Sequence, residues 1–564
     1  MELPRVEGVD SYRNSARSEV RSIEPSAKVD PEAVMKTPTW DVNMVHLGIE
    51  HGTPQPEGRI DSLKRIKNQI KRAAEEPVRT KTNENRGSSG LQADPVVQEN
   101  FRGNVFSGFT PPDNHLAVSD DGFLVSVVNS SLYFGDVNGT VFSESSLSSF
   151  FSPLNLNGTY FDPRVMYDPI EDKFIMVVLN GSTPSNTHVV IGFSTTSDPR
   201  DTWWFYDLDG NPLNNSFWFD FPSTGLSNEE LYVSGNLFDA NNNFSQVLIY
   251  QIDKANGFTG GTINWVYWFD VRDANDVQDF TVVPISFGFD GALSPGIFFV
   301  STQSGGGDKA MLYYTTDTYD NNPQLEVFEV AVADYALSGD GAQAGSSDLI
   351  ATNDTRTLSG FYADGYIHYV LNTDLSGGFT GLYYGRIKVD DLTSSASTFG
   401  LSGFEYAFPA VAPFSNDPAD RTVLIGFTRT GTSIFPEFRV VRCDEDFNWS
   451  SSVLVKSGES FVDILLSDTE RWGDYSGISK RHGSEIEVWV AGCYGEDFSN
   501  GVPNVYGTWI GQVGSNTVQA PAANFSADQT TVFAGEQVHF SDLSANNPTS
   551  WSWNFPGGDP ASST

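Results

Sequence analysis

Between residues 105 and 514, short apolar segments alternate with turn residues, a pattern that predicts an all-β fold. One arrangement recurs. A segment opens on a polar or acidic residue, a turn with Asp, Asn or Gly follows, and a strongly apolar strand then ends in a small or polar residue. Seven such apolar strands occur, namely Phe123–Asn129, Lys173–Asn180, Leu231–Asn236, Gly296–Thr302, Tyr366–Asn372, Thr422–Thr428 and Glu485–Gly492.

Further β patterns follow each copy, for example His188–Ser194 and Gln246–Ile252. Four short strands per copy are typical of a propeller blade, whereas a two-sheet sandwich has about 100 residues in all and solenoid repeats are shorter and more regular. The sequence therefore predicts a seven-bladed β-propeller over residues 99–514.

The segments before and after the predicted propeller differ from it in composition. Residues 1–98 are charged and poor in aromatic residues, which predicts a largely disordered pro-region or linker. A short helix is predicted near 61–76, because Leu63, Ile66 and Ile70 fall on one face. That apolar face is thin, so a solvated helix is favoured over one lying on a membrane. Residues 515–522 form a predicted linker, and residues 523–564 contain two further strand patterns.

The formal net charge is −39, and all of the excess acid lies beyond residue 104. Binding to nucleic acid needs clustered Lys and Arg, so no nucleic-acid partner is expected. An acidic surface suits cations or neutral ligands such as glycans, and it also promotes solubility outside the cell. No stretch approaches the ~18 apolar residues of a membrane span, so membrane insertion is not predicted.

Five aspartates open repeat copies at similar positions: Asp113, Asp162, Asp220, Asp279 and Asp474. In a propeller they would form a ring near one mouth of the central channel, with Arg164 and Arg471 as candidate channel arginines. The ring would suit Ca²⁺ or ligand hydroxyls. Alternatively, each Asp accepts N–H bonds within its own turn. Because repetition in every blade favours the structural role, we expect weak or no Ca²⁺ binding, and no other cofactor is predicted.

The two cysteines, Cys443 and Cys493, could form one disulfide in an exported protein. The five histidines beyond residue 105 are scattered along the chain, which does not predict a metal cluster. Sequence motifs for zinc hydrolysis, phosphate loops and serine nucleophile elbows are also absent. No catalytic residue is therefore assigned.

Two resemblances extend these predictions. The run from Ser550 to Gly558, Ser-Trp-Ser-Trp-Asn-Phe-Pro-Gly-Gly, resembles the opening half of a polycystic-kidney-disease (PKD) type β-sandwich, which implies a module cut off at Thr564. The propeller region resembles exported propeller proteins of the Bacteroidetes type. This resemblance rests on Pro112-Asp113-Asn114, Asp162-Pro163-Arg164-Val165, Phe193–Pro199 and Arg471–Ser476. This resemblance implies export by type IX secretion, a sorting signal beyond Thr564, and a location outside the cell or on its surface.

The function predicted from these features is binding or adhesion, to a glycan or to another surface protein. A sialidase-like glycoside hydrolase remains an alternative, because the chain offers many carboxylates and Arg164 and Arg471. A structural spacer is the third possibility. Aromatic residues grouped at the mouth would favour a glycan site, but core packing is the commoner role for the candidates, Trp203, Trp204, Trp218, Trp265 and Trp268.

Overall fold

The computed structural model describes residues 12–13, 20–36, 38, 46–47, 59–73, 93–401, 403–483, 486–515, 523–544 and 551–563. The chain divides into two compact units, Met1–Gly514 and Ser515–Thr564. The first unit is a seven-bladed β-propeller, so the all-β fold and the number of blades predicted from the repeats are confirmed.

Each blade is an antiparallel sheet that runs from an innermost strand outward. Blade 1 consists of His115–Val118, Phe123–Val128, Ser131–Asp136 and Val141–Ser146, and blade 2 of Tyr160–Asp168, Lys173–Thr183, Asn186–Ser194 and Trp203–Asp209. Blade 3 consists of Phe217–Leu226, Glu230–Asp239, Phe244–Asp253 and Ile263–Trp268, and blade 4 of Val283–Ile285, Phe298–Thr302, Gly306–Thr315 and Leu325–Ala336. Blade 5 consists of Ser359–Ala363, Tyr366–Ser376, Phe379–Lys388 and Ser394–Phe399, and blade 6 of Glu405–Pro413, Val423–Gly431, Ile434–Cys443 and Val453–Lys456. Blade 7 consists of Gly477–Arg481, Glu487–Ser499, Val502–Gly514 and Val96–Arg102.

The ring is closed by a strand from the N-terminal side of the chain. Val96–Arg102 is the outermost strand of blade 7 and pairs with Val502–Gly514, with Phe101 opposite Ile510. Closure by non-consecutive segments fastens the first part of the propeller to the last. The strand begins three residues before the start predicted from the sequence.

The described parts of the N-terminal region lie on the propeller. Ala27–Val29 adds a fifth strand to blade 2, Arg21–Ile23 adds one to blade 3, and Tyr12–Arg13 pairs with the outer strand of blade 4. The predicted helix is present over Arg59–Ala73. The remainder of the region predicted to be disordered lies outside the described residues.

Several short elements occur outside the strands of the blades. They are the helices Pro31–Val34, Leu147–Phe150 and Lys254–Thr259, the 3₁₀ turn Ser152–Leu154, and two parallel two-stranded pairs, His46–Leu47 with Phe109–Thr110 and Leu349–Ile350 with Thr469–Glu470. Among the described helices, none combines the length and apolarity that crossing a membrane requires.

The core lies between neighbouring blades, where the faces of successive sheets meet. One cluster joins blades 3, 4 and 5 through residues such as Tyr232, Phe299 and Tyr369. Most of the candidate tryptophans serve this packing, because Trp203, Trp218, Trp265 and Trp268 are all buried. Trp204 is half-buried beneath the ammonium of Lys28. None of the five supplies an exposed platform for a sugar.

The second unit holds two short antiparallel pairs, Phe525–Ala527 with Phe540–Asp542 and Trp553–Asn554 with Ser562–Ser563. Its aromatic rings contact one another, with ring centroids 5.7 Å apart for Phe525 and Trp553 and 4.9 Å apart for Phe540 and Phe555. These pairs agree with the two strand patterns in the sequence. The PKD-type assignment stays a prediction.

Candidate functional site

The strand register shows which positions of the seven blades are equivalent. In each blade, we take as the reference the residue pair at which regular pairing between the innermost and second strands begins, or resumes after a register shift. These pairs are His115–Val127, Arg164–Val177, Ser223–Ser234, Val283–Val300, Ser359–Val370, Ala410–Gly426 and Gly477–Ala491. Counting back from these pairs aligns the polar residues near the N-terminal ends of the innermost strands.

A left-handed residue recurs two positions before the reference pair. It has a φ of 44° at Asp113, 51° at Asp162, 56° at Phe221, 57° at Thr281 and 53° at Phe408. Such angles are uncommon for Phe and Thr, and the surrounding structure must hold them in place. This shared conformation bends the start of five of the seven innermost strands.

Asparagines from the neighbouring blade hold three of these bends. The side-chain oxygen of Asn129 accepts the N–H of Asp162 at 2.7 Å, that of Asn236 accepts Thr281, and that of Asn372 accepts Phe408. These asparagines end the apolar strands that marked the repeat in the sequence. Their repetition therefore reflects a bond that joins consecutive blades.

The five predicted ring aspartates occupy three different register positions. Asp113 and Asp162 are the left-handed residues, Asp220 and Asp474 stand one position earlier, and Asp279 stands two positions before Thr281. The carboxylate of Asp279 accepts hydrogen bonds from Ser301 Oγ at 2.7 Å and from the Tyr313 hydroxyl at 2.5 Å. It belongs to the interior of blade 4, so no five-membered aspartate ring is formed.

The other four acids come together, because Asp113, Asp220 and Asp474 all raise the pKa of Asp162 through their charges. We call Asp113, Asp162, Arg164, Arg471 and Asp474 the mouth cluster. Arg471 Nη2 lies 2.9 Å from each carboxylate oxygen of Asp474. The N–H of Asp474 donates to Asp113 Oδ1 at 2.8 Å, which links blade 7 to blade 1.

Arg164 fills the centre of this network. Its guanidinium carbon lies 3.2 Å from the ring centroid of Tyr475, and its Nε donates to the backbone oxygen of Pro222 at 2.8 Å. The Tyr475 hydroxyl in turn donates to the oxygen of Pro163. A single buried arginine thus ties together blades 2, 3 and 7.

Burial dominates the electrostatics of the mouth cluster. It raises the pKa of Asp113 to about 8, with a further contribution from the charge of Asp474. It also raises the pKa of Asp162 well above the ordinary value for an aspartate and lowers that of Arg164. Because acids with raised pKa values retain their protons near neutral pH, the cluster carries less negative charge than its three acids suggest.

A third arginine that the sequence analysis did not select lies beside the cluster. Arg356 donates to Asp354 through Nε and Nη2, both at 2.7 Å, and its guanidinium carbon is 4.6 Å from the ring centroids of Phe221 and Phe280. Burial lowers the pKa of Arg356, but the charge and hydrogen bonds of Asp354 raise it overall, and Asp474 adds a smaller increase. Arg356 occupies the register position of Asp220 and Asp474, so an alignment of the repeats by register would have selected it.

Three charged groups remain accessible to a ligand. The side chains of Arg356, Arg471 and Asp474 are 12%, 14% and 15% exposed, whereas Asp113 and Asp162 are buried. The exposed groups are already paired, and aromatic rings lie beneath Arg356. Chemically, the mouth offers fixed hydrogen-bonding groups with little uncompensated charge.

The N-terminal helix docks next to this mouth by its basic face. Lys64, Lys67 and Lys71 form ion pairs with Asp340, Asp374 and Glu405, respectively. Lys64 Nζ also donates to Thr352 Oγ1 at 3.1 Å, and the next residue, Asn353, donates to Asp474. Ile66 and Ile70 are exposed. The acidic propeller therefore selects the lysine face, not the apolar face that predicted the helix.

Both cysteines are free and buried, so the disulfide considered from the sequence is not formed. Cys443 ends a strand of blade 6, and the Cys493 thiol in blade 7 donates to Asn114 Oδ1. Within the described part of the chain, the carboxylates that approach one another closely enough for a metal are Asp348, Asp463 and Glu470, not the predicted ring. Both Glu470 oxygens already accept backbone N–H groups.

The central channel also holds His115, which is half-buried and gives a pH prediction. Burial lowers its pKa to about 3, so it folds as the neutral imidazole. The stability that the folded protein has with neutral His115 is fully present above the unfolded pKa near 6.5. It is lost as the pH falls, because the unfolded chain then takes up a proton that the folded chain does not. Between pH 6.5 and 4 we expect His115→Gln to gain about 1.4 kcal/mol per pH unit relative to wild type.

The measurement is urea unfolding at a series of pH values. His188→Gln is the matched control with the opposite sign, because hydrogen bonding to Asp207 raises the pKa of His188. The stabilisation from protonated His188 is fully present below the unfolded pKa and disappears as the pH rises through the folded value. Parallel profiles for wild type and His115→Gln would show that His115 is not buried as the neutral form.

Comparisons with known proteins give only distant structural matches. No family model and no curated protein matches the chain. A sialidase from Trypanosoma rangeli, solved with difluorosialic acid, matches with a TM-score of 0.32 and 10% identity over 68% of this chain and 56% of that chain. This chain thus spans just over half the length of that enzyme.

A protein of unknown function from Dyadobacter fermentans matches with a TM-score of 0.33 and 10% identity, over 74% of this chain and 99% of that one. An apocarotenoid oxygenase from Synechocystis gives a TM-score of 0.34 and 10% identity, over 72% and 88%. Similarities this distant assign no function to the chain, and a fold alone would not determine one either.

Proposed function

We propose that the protein is an extracellular or surface-exposed binding protein that recognises a glycan at the mouth of its propeller, without cleaving it. The observation that carries this proposal is the set of Arg356, Arg471 and Asp474, which are partly exposed and each engaged in an ion pair. The guanidinium of Arg356 also lies over the rings of Phe221 and Phe280. Sugar hydroxyls both donate and accept, so fixed pairs of charged donors and acceptors suit them without requiring a charged ligand.

The state of the acids favours binding over hydrolysis. Glycosidases need a carboxylic acid and a second carboxyl group on opposite sides of the scissile bond. Asp113 and Asp162 have raised pKa values, but both are buried, and the two oxygens of Asp113 accept the Asp474 N–H and the Asn129 amide. Asp474 is held by Arg471 and Asn353. These contacts hold the carboxyl groups within the scaffold.

The test is a glycan-array screen of the full chain, with Ca²⁺ and with EDTA, followed by titration of the best ligand. Arg356→Gln is expected to weaken binding about tenfold, which corresponds to one hydrogen bond to a charged group. Arg200→Gln is a matched control, because Arg200 forms the same Asp-x-Arg pair with Asp198 and lies over two phenylalanine rings.

Three outcomes would contradict the proposal. Equal affinities of wild type and Arg356→Gln would remove the mouth from the binding site. Shortened glycans in mass spectra would favour the hydrolase instead. Absence of binding to every glycan would leave a protein partner or a spacer role.

A further inference from the structure

The half of the channel opposite the mouth cluster contains a cavity of about 180 Å³. All seven blades contribute to it, through residues toward the C-terminal ends of their innermost strands. Its walls are largely apolar and include Leu116, Leu226, Phe287, Phe361, Val411 and Ile478. For comparison, apolar protein cavities of ~150 Å³ hold a benzene molecule. The space therefore suits a ligand with a small apolar body.

Two lysines line this cavity, and their surroundings differ. Lys254 Nζ lies 2.6 Å from Asp168 Oδ2, and both side chains are 1% exposed. Lys480 Nζ donates only to uncharged acceptors, the backbone oxygen of Ser415 at 2.7 Å and Asn416 Oδ1 at 2.9 Å. No carboxylate within the described residues lies within 4.0 Å of Lys480.

The ammonium of Lys480 is consequently a buried cation without a counter-ion in the described part of the chain. Only 9% of Lys480 is exposed, and one of its three N–H donors has no described partner. Burial lowers its pKa to about 8, which still leaves it mostly charged at neutral pH. An uncompensated buried charge is unfavourable, and an anionic ligand would compensate it.

We propose that this cavity binds a small monocarboxylate with an apolar body, whose carboxylate pairs with the ammonium of Lys480. The apolar walls favour such a molecule over inorganic phosphate, which would bring several charges and no apolar surface. The site is separate from the mouth cluster, and the proposal does not depend on glycan binding.

The experiment is a fluorine NMR titration of the full chain at pH 7 with 4-fluorobenzoate, and with 4-fluorobenzamide as its neutral counterpart. We expect saturable binding of one benzoate per chain and at least tenfold weaker binding of the amide. Lys480→Met, which keeps length and removes charge, should weaken benzoate binding at least tenfold. Lys388→Met, which removes a lysine paired with Asp391 on blade 5, should leave it unchanged.

Several results would overturn the proposal: no saturable benzoate binding, equal binding of acid and amide, unchanged binding in Lys480→Met, or displacement of benzoate by phosphate at similar concentration. The acid and amide are compared on the wild-type chain, so the test is decisive even where Lys480→Met does not fold. Thermal melting of both variants separates a loss of binding from a loss of structure.

Discussion

Replacing Arg164 with methionine is expected to lower the free energy of unfolding by about 3–5 kcal/mol, the usual effect of removing one partner from a buried ionic network. Arg164 is 6% exposed, and it lowers the pKa values of both Asp113 and Asp162. Methionine fills a similar length but cannot compensate these acids or donate to Pro222. The measurement is urea unfolding, monitored by tryptophan fluorescence.

The loss should depend on pH with a definite sign. Without Arg164, the folded-state pKa values of Asp113 and Asp162 rise further above their unfolded values. A group whose folded pKa is raised contributes stability at low pH that is lost as the pH rises through the folded value. The deficit of Arg164→Met should therefore be nearly constant between about pH 5 and 7, and it should grow as the pH rises through about 8, the folded pKa of Asp113 in the wild type.

Arg200→Met serves as the surface control, because the Arg200 side chain is 48% exposed and exposed ion pairs contribute at most about 1 kcal/mol. A deficit in Arg164→Met no larger than in this control, or one that does not vary with pH, would mean that the mouth acids do not need Arg164. The effect would then have to be assigned to lost packing on Tyr475 alone.

The sequence predicted the number of blades because the second strand of every copy carries an apolar run and several of these strands carry a second, independent signal. The apolar run is long enough to identify a buried strand, and the terminal Asn of several copies marks the inter-blade bond, as Asn129, Asn236 and Asn372 show. Both signals are local, so they can be recognised in the sequence without knowledge of the tertiary structure. The seven copies found in the sequence correspond to the seven sheets.

The composition of the mouth was harder to predict, because it depends on register. Asp279 and Asp113 look equivalent in the sequence, yet Asp279 stands two register positions earlier in its blade than Asp113 and contacts Ser301 and Tyr313 within blade 4. Arg356 was missed for a different reason, since its blade lacks the aspartate that marked five of the seven copies.

The N-terminal helix shows a second limit of sequence patterns. Apolar residues at helical spacing predicted a helix near 61–76, and the structure has one over Arg59–Ala73, but the surface that it meets is acidic. Lys64 and Lys71 are therefore the docking residues, whereas Ile66 remains 51% exposed. Periodicity identifies a helix, and the charge of the partner surface decides which face is buried.

Deleting residues 96–102 from the full chain is expected to lower the melting temperature by about 10 °C or more and to broaden the transition. This strand joins the N-terminal side of the chain to blade 7, so its loss opens the ring. Val97 and Phe101 pack against the blade, Phe101 lying 6.0 Å from Trp489, and Arg102 pairs with Glu496 at 2.7 Å. Those contacts alone supply about 3 kcal/mol or more.

Deletion of residues 21–23 is the appropriate comparison, because Arg21–Ile23 is also an outermost strand but does not close the ring. Its removal should lower the melting temperature by only a few degrees, since blade 3 keeps its four other strands. Equal effects of the two deletions, in differential scanning calorimetry at matched protein concentration, would show that closure adds nothing beyond edge pairing. A larger effect of the first would identify Val96–Arg102 as the segment that makes seven separate sheets unfold as one.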